Sequence, residues 1–382
     1  MSTIQSAMSH ILSSSHTKKI AITNVDSWLG CCIAVHLAEK LEKKCPKVQI
    51  VALACKGNTH ADLDKLKKFK NVHIHKVDYN DEKSLEKAIS GVSCSILIPE
   101  MTEHRVKHAK NLLCAMKKEK VKGCLLLSVA GAEREDHNLK EIKTFHEIEQ
   151  MVEEHCSCYL ILRKSILNQC FLLWSPIVQE KGEFPMSCTA ECQMAPLDAC
   201  DLVCAIETVI VEHCHDHDKA VDVEELTDDD HSAFGGVHKN KKYTLTGPHK
   251  IAAQGLVQAM NEETGQRVQF KQVSREELKK YFESLKKRED WSEQLNVDWC
   301  KEIVSLESLV AGGDHEEHHL HHDHHHMAPN ESTINLLLDE LELIKKGEAG
   351  FVSGDLEKIL GHQGKSVKDF LRKYKDEFRR QQ

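Results

Sequence analysis

The feature that most constrains how this chain can fold is an alternation running from Lys18 to Gly131. Short apolar runs are each followed by a segment whose apolar residues recur at helical spacing. Residues 20–22 are apolar and end in a polar turn, after which Leu29, Ile33, Leu37 and Leu41 share one helical face. VQIVALA at 48–54 predicts a second strand, NVHIHKVDY at 71–79 a third, residues 92–99 a fourth, and CLLLSVAG from Cys124 a fifth. Helices are expected over 81–90, closed by Gly91, and over 104–118, with Val106, Leu112, Leu113 and Met116 facing the core. Strands alternating with helices join by right-handed crossovers, so the expected class is α/β with a doubly wound parallel sheet. Ligands of such sheets bind at the carboxyl ends of the strands. That rule gathers residues 24–30, Lys56, 98–101 and 128–131 around one crevice.

The first strand–turn–helix, KKIAITNVDSWLGCCIAVHLAEKLEKK, carries the sharpest chemical question. A dinucleotide-binding turn places three glycines where the chain bends, approaches a pyrophosphate and lets the helix lie close to the sheet. Laid against G-x-x-G-x-x-G, those positions are Asn24, Ser27 and Gly30. Asn tolerates a left-handed backbone and a Ser hydroxyl hydrogen-bonds phosphate, so the loop is altered rather than abolished. Asp26 puts a carboxylate inside it, which repels the phosphates that a helix N-terminus attracts. Lys56, at the end of the second strand, is where a cation suits the extra phosphate of NADP and an acid would suit the ribose of NAD. As plain surface chemistry it is a solvated Lys opening a Lys-rich segment.

A chain of 382 residues exceeds one average domain, so a large domain with a smaller lobe is expected. The longest apolar runs, near 124–130 and 202–211, are too short to span a bilayer. The polar MSTIQSAMSHILSSSHTKK reads as a disordered lead-in over 1–18 rather than a secretory signal. Sixteen cysteines without a C-x-x-C pair fit reduced thiols, hence a cytosolic or nuclear setting. A net charge of −9 and the lack of a basic stripe with interleaved aromatics argue against direct nucleic-acid binding.

The order of further segments resembles the NmrA-like group of atypical short-chain dehydrogenase/reductases, over nearly the whole chain after residue 18. DEKSLEKAISGVSCSILI is similar to that family's third helix and fourth strand. FHEIEQMVEEHCSCYLILRKSILNQ is similar to the passage around its Arg-Pro-x-x-Phe-x-Glu-Asn motif, read here as Arg163-Lys164-Ser165-Ile166-Leu167. YTLTGPHKIAAQGLVQAMNEETGQRVQFKQVSREEL resembles its Leu-Thr-Gly-Pro turn region, and GFVSGDLEKILGHQGKSVKDFLRKYKDEF its C-terminal helices. The resemblance implies a Rossmann domain over 19–165 and 186–222, and a smaller α+β lobe over 166–185 and 223–382. It implies that Thr23, Asn24, Ser27, Trp28, Leu29, Gly30, Lys56, Asp78, Ile98, Pro99 and Ser128 line a dinucleotide, NADP(H) before NAD(H).

Hydride transfer in this superfamily uses a Tyr acid/base, a Lys four residues on, and a Ser that orients the carbonyl. Ser128 stands in place, but the Tyr and Lys positions fall on Glu141 and Phe145. Tyr79 and Lys83 have the spacing yet precede the strand that should come first, so their spacing reads as coincidence. Two functions of different class follow. One is a regulatory protein that binds NAD(P)(H), in the manner of a redox sensor, and acts through protein partners. The other is an NAD(P)H-dependent reductase of a quinone-like or carbonyl substrate held near Ser128, Glu141, Phe145 and Asn168. The lost pair favours the first.

A second feature is GGDHEEHHLHHDHHHMAP, a His-rich low-complexity insertion over 311–330. Arranged helically, His315, His318, His319, His322, His325 and His326 recur at i, i+3 and i+4, a spacing that chelates a divalent metal. As solvated low-complexity sequence the same tract has metal affinity without a role. EHCHDHD at 212–218 adds a smaller cluster, expected in a loop beyond a helix.

Overall fold

The computed structural model describes residues 18–57, 63–134, 138–219, 235–286 and 329–379, with only the backbone at 213–219 and 235–236. The expected doubly wound sheet is present. Strands β1 (Lys18–Ile22), β2 (Val48–Cys55), β3 (Val72–Val77), β4 (Cys94–Leu97), β5 (Gly123–Val129) and β6 (Cys158–Lys164) pair in parallel in the order β3-β2-β1-β4-β5-β6. The burial of β1, β2, β4, β5 and β6 follows from helices on both faces, while β3, at the sheet edge, alternates half-buried Val72 and Ile74 with exposed His73 and His75. These helices are α1 (Trp28–Lys44), the single turn α2 (Leu63–Leu66), α3 (Glu82–Ile89), α4 (Arg105–Lys118) and α5 (Lys140–His155). Asp81 caps α3 through the Lys83 N–H, and Gly91 beyond it takes the left-handed conformation that ends the helix (φ 74°).

Beyond β6 the chain makes a 3₁₀ segment (Asn168–Trp174), α6 (Ser175–Lys181), β7 (Glu183–Met186), β8 (Gln193–Met194) and α7 (Ala199–Lys219). It then forms α8 (Gly235–His238), β9 (Lys241–Leu245), β10 (Ile251–Ala252), α9 (Ala253–Thr264), β11 (Gln269–Gln272) and α10 (Arg275–Leu285). After residue 328 come α11 (Glu331–Lys345), α12 (Asp355–Leu360) and α13 (Val367–Lys373). β9 is the seventh strand of the main sheet, parallel to β6. The assignment of all of 223–382 to the smaller lobe is therefore corrected for 241–245, which complete the Rossmann sheet. A part of the structure outside the main sheet carries two small sheets, β8–β10 antiparallel and β7–β11 parallel. Its aromatic centre stacks Trp174 on Phe184 (centroids 5.1 Å apart) and sets Trp174 at right angles to Phe282. The Trp174 indole N–H is satisfied by the Pro185 carbonyl at 2.6 Å.

The 212–218 cluster is corrected in place: its backbone lies within helix α7, not beyond it. The His-rich tract over 311–330, with His315, His318, His319, His322, His325 and His326, lies outside the described residues except at its end.

Candidate functional site

β1 ends at the switch point between β1 and β4, where a parallel sheet opens its binding crevice. Thr23 spans that opening, its hydroxyl accepting from the Ile98 N–H (2.8 Å) and donating to the Ile98 carbonyl (3.0 Å). Asn24, in the first glycine position, adopts the left-handed conformation that position demands (φ 53°). Ser27 is the N-cap of α1: its hydroxyl accepts from the Gly30 N–H (3.1 Å) and donates to the Asn24 carbonyl (2.8 Å). Gly30 is required by contact, because a Cβ there would lie 2.0 Å from the Asn24 carbonyl oxygen. Leu29 is buried behind the loop and Trp28 half-buried at its side. The turn thus keeps its shape without its first two glycines, but the Ser27 hydroxyl is engaged within the loop.

Asp26 reaches the carboxyl end of β2, where its Oδ2 accepts from the Cys55 N–H at 3.3 Å. That end is acidic. Burial first, then the carboxylates of Glu100, Asp26 and Asp78, push the Cys55 thiol up to about 11. Asp78 also caps the following turn through the Asn80 N–H (2.9 Å). Lys56 is exposed, and its N–H donates to the Val77 carbonyl. Pro99 is buried after β4, and the next residue, Glu100, pairs with His108 Nδ1. His108 stacks on Tyr79 with centroids 5.5 Å apart. The Tyr79 hydroxyl lies against the Asn24 backbone without completing a well-formed hydrogen bond. Burial, then Glu100, holds that phenol well above its usual range. Tyr79 is thus part of the wall of the crevice, while Lys83 is exposed on α3, so the two form no catalytic pair.

Ser128 is fully buried and turned toward α5, donating to Glu149 Oε1 at 2.5 Å. Arg163 holds the same carboxylate from two nitrogens, at 2.9 and 2.6 Å. Glu141 is buried against Arg105, with 2.9 Å between guanidinium and carboxylate in a geometry short of a hydrogen bond. Arg105 itself lies over the Phe145 ring, 5.1 Å from its centroid. Asn168 is fully buried and donates to Asp198 Oδ2 at 3.4 Å.

Helix α11 closes the strand ends above these residues. Its Asp339 accepts the Glu141 N–H (2.9 Å) and pairs with Arg275 (2.7 Å), and its Glu340 pairs with the buried Lys164 at the end of β6 (2.8 Å). Leu336 and Leu343 pack with Val129, Ile142 and Phe145. A side chain at Gly131 would meet Leu343 Cδ1 at 2.4 Å. Between Ala130, Ser165, Ile166, Met194, Glu340 and Leu343 there remains a cavity of about 20 Å³, room for one water. Sequence reasoning reached Glu100 only as part of 98–101, without its pairing to His108, and missed His108, Arg105, Asp339 and Glu340, which depend on which helix covers which strand.

Among the described residues the arrangement is a Rossmann crevice whose turn keeps the shape of a phosphate-binding loop, with α11 packed over the ends of β5 and β6. The NmrA-like family model matches residues 16–310. The chain belongs to the NmrA-like family. No curated protein sequence matches it significantly. Solved structures with a similar fold include an NADPH-dependent quinone oxidoreductase of Escherichia coli complexed with NADPH. It is 19% identical, covers 92% of this chain and 98% of its own, and has a TM-score of 0.64. The triphenylmethane reductase of Citrobacter sp. complexed with NADP(H) is 20% identical, with coverage of 92% and 98% and a TM-score of 0.62. NmrA, a negative transcriptional regulator in complex with NAD, is 11% identical, with coverage of 94% and 95% and a TM-score of 0.61. At these identities the likeness carries the fold, and both enzymes and a regulator share it. Among the described residues no helix is long and apolar enough to cross a membrane.

Proposed function

We propose that this NmrA-like chain is a regulatory or scaffold protein that binds a nicotinamide dinucleotide without reducing a substrate. The observation that carries the reading is α11 seated on the ends of β5 and β6. It packs leucines against Phe145 and sets Asp339 and Glu340 on Glu141 and Lys164, where a substrate would need open space. Glu141 and Phe145 supply no proton-donating phenol and no ammonium, and the Ser128 hydroxyl is held by Glu149. A dinucleotide is supported at the other end by the turn geometry of Asn24, Ser27 and Gly30, and by the NADPH and NAD of the structurally similar proteins. Binding is weak there, because Asp26, Asp78 and Glu100 crowd the end of β2. Lys56 gives NADP(H) a small advantage over NAD(H), which Asp26 blunts. Protein partners reading the bound state complete this function, in a cytosolic or nuclear setting.

The test is steady-state oxidation of NADPH and NADH with a panel of ketones and quinones, beside calorimetry of each dinucleotide. The expected result is weak heat of binding and no turnover above buffer. Turnover that Ser128→Ala abolishes would establish the reductase reading instead.

A further inference from the structure

Helices α1 and α7 meet at a cluster of side chains that the dinucleotide reading does not use. His36, halfway along α1, sets its Nε2 2.7 Å from Glu207 Oε2 on α7, and Lys44, at the end of α1, donates to the other carboxylate oxygen at 2.9 Å. Cys204 stands three residues before Glu207, on the same face of α7. One ring nitrogen of His36, the Cys204 sulfur and a Glu207 oxygen all lie within 4.8 Å of one another. His36 is 2% exposed, and its Nδ1 has no hydrogen-bond partner among the described residues. A buried polar atom left without a partner marks a place for a water or an ion. We propose that His36, Cys204 and Glu207 form a zinc site that fastens α1 to α7, with water as the fourth ligand.

The chemistry of the three donors selects the ion. Thiolate, imidazole and carboxylate together suit zinc, whereas calcium and magnesium take oxygen ligands. Zinc bonds of about 2.0–2.3 Å set tetrahedral ligand atoms about 3.3–3.6 Å apart, so the His36–Glu207 pair opens by about 0.6 Å and the widest separation closes by about 1 Å. Side chains on fixed helices can make both movements. Glu207 is already ionised: burial alone would raise it, but the hydrogen bonds from His36 and Lys44 hold it down to about 2. Burial, then Glu207 and Asp201, push the Cys204 thiol up to about 11, so the ion must displace that proton. Lys365 and Lys40 also face the thiol, and their charge opposes a cation. The thiolate and the carboxylate together balance the two charges of zinc. Lys44 keeps Glu207 Oε1 while Oε2 turns to the ion. Zinc thus takes the place of the proton between the neutral His36 ring and Glu207, that proton passes to Nδ1, and the thiol proton leaves to water. Cys204 is only half-buried, which gives the ion its way in.

Cobalt(II) in place of zinc tests the site on the full chain, because a thiolate bound to cobalt gives a near-ultraviolet charge-transfer band that imidazole and carboxylate do not. The His-rich tract over 311–330 contains no cysteine, so the cobalt it takes is silent in that band. The expected result is the band together with the visible absorption of tetrahedral cobalt, both bleached by added zinc. Cys204→Ser should abolish the band, and Cys214→Ser, in the EHCHDHD stretch, should leave it unchanged. His36→Gln should weaken cobalt binding by more than about tenfold, since even the outer-shell partners of a metal site are worth about 10–100-fold in affinity. The proposal is overturned by a wild-type chain without the band, by a band that survives Cys204→Ser or vanishes in Cys214→Ser, or by full affinity in His36→Gln. A thermal melt of each variant without metal separates a lost ligand from a lost fold, and Cys204→Ala replaces Cys204→Ser if the serine variant does not fold.

Discussion

At the scale of single residues, the phosphate turn shows how a loop keeps its geometry after losing the residues that usually provide it. Asn24 accepts the left-handed backbone, Ser27 caps the helix, and only Gly30 has no substitute, since its place is set by a carbonyl oxygen. Asp26 is the residue that changes the chemistry, by bringing a charge to the end of β2 through its bond to the Cys55 N–H. Replacing Asp26 by Thr should therefore tighten NADPH by about 1 kcal/mol, the size of a solvent-screened charge contact, and leave NADH almost unchanged. Calorimetry of both dinucleotides on both proteins checks this, and equal tightening of the two would place Asp26 at the pyrophosphate instead. Gly30 was legible from spacing alone, and so was the substitution of Asn for the first Gly. The direction of Asp26 was not, because a carboxylate two bonds from the backbone reaches either the helix end or the next strand. Only the fold decides which.

At the scale of elements, β1, β2, β4, β5 and β6 were readable because each carries a run of residues buried on both faces, and β3 because its VHIHKV alternates apolar with polar residues at the sheet edge, patterns local to each strand. The place of β9 was not readable: KKYTL joins the edge of the sheet through pairing with residues eighty positions away. The same is true of α11. Its sequence reads as an amphipathic helix, and nothing local says that it lies on β5 and β6. Its attachment is testable through Glu340, because removing one member of a buried ion pair strands the other. Glu340→Ala should destabilise by about 3–5 kcal/mol, read from the urea midpoint, while Glu340→Met together with Lys164→Met should recover most of that loss. A small effect of the single change would mean that α11 lifts off readily. Helix α7 makes a different prediction. In its first turn, burial and then the neighbouring Asp198 raise Asp201 to about 6, against an unfolded value near 3.8. A raised acid favours the folded state only while protonated. Its contribution is complete below about pH 4 and is lost as pH rises through about 6. Asp201→Asn should flatten that decline and be the more stable protein at pH 7, on the order of 1 kcal/mol, in urea melts taken from pH 4 to 7.

At the scale of the whole molecule, the open matter is whether the His-rich stretch acts on the folded body. The chain leaves α10 and returns at α11, and those two helices are bound to each other through Arg275, which holds both the Leu338 carbonyl and the Asp339 carboxylate. The start of α11 is fixed separately: Asn330 caps it through the Thr333 N–H and donates to the Met101 carbonyl at 2.8 Å. Both ends of the intervening sequence are thus anchored whatever happens between them. Neutral imidazoles at 315–326 should bind zinc or nickel with micromolar strength, and binding should weaken steeply as pH falls through about 6.5, where protons take the same nitrogens. Deleting residues 313–327 shortens the connection by about a third, and closure entropy depends only logarithmically on length, so the expected change is a few tenths of a kcal/mol. The melting temperature and the dinucleotide affinity should then be the same with and without the tract, and with and without zinc. A zinc-dependent shift in dinucleotide affinity that disappears in the deletion would instead show strain reaching α11 through Asn330, because that contact joins the tract directly to Met101 at the mouth of the crevice.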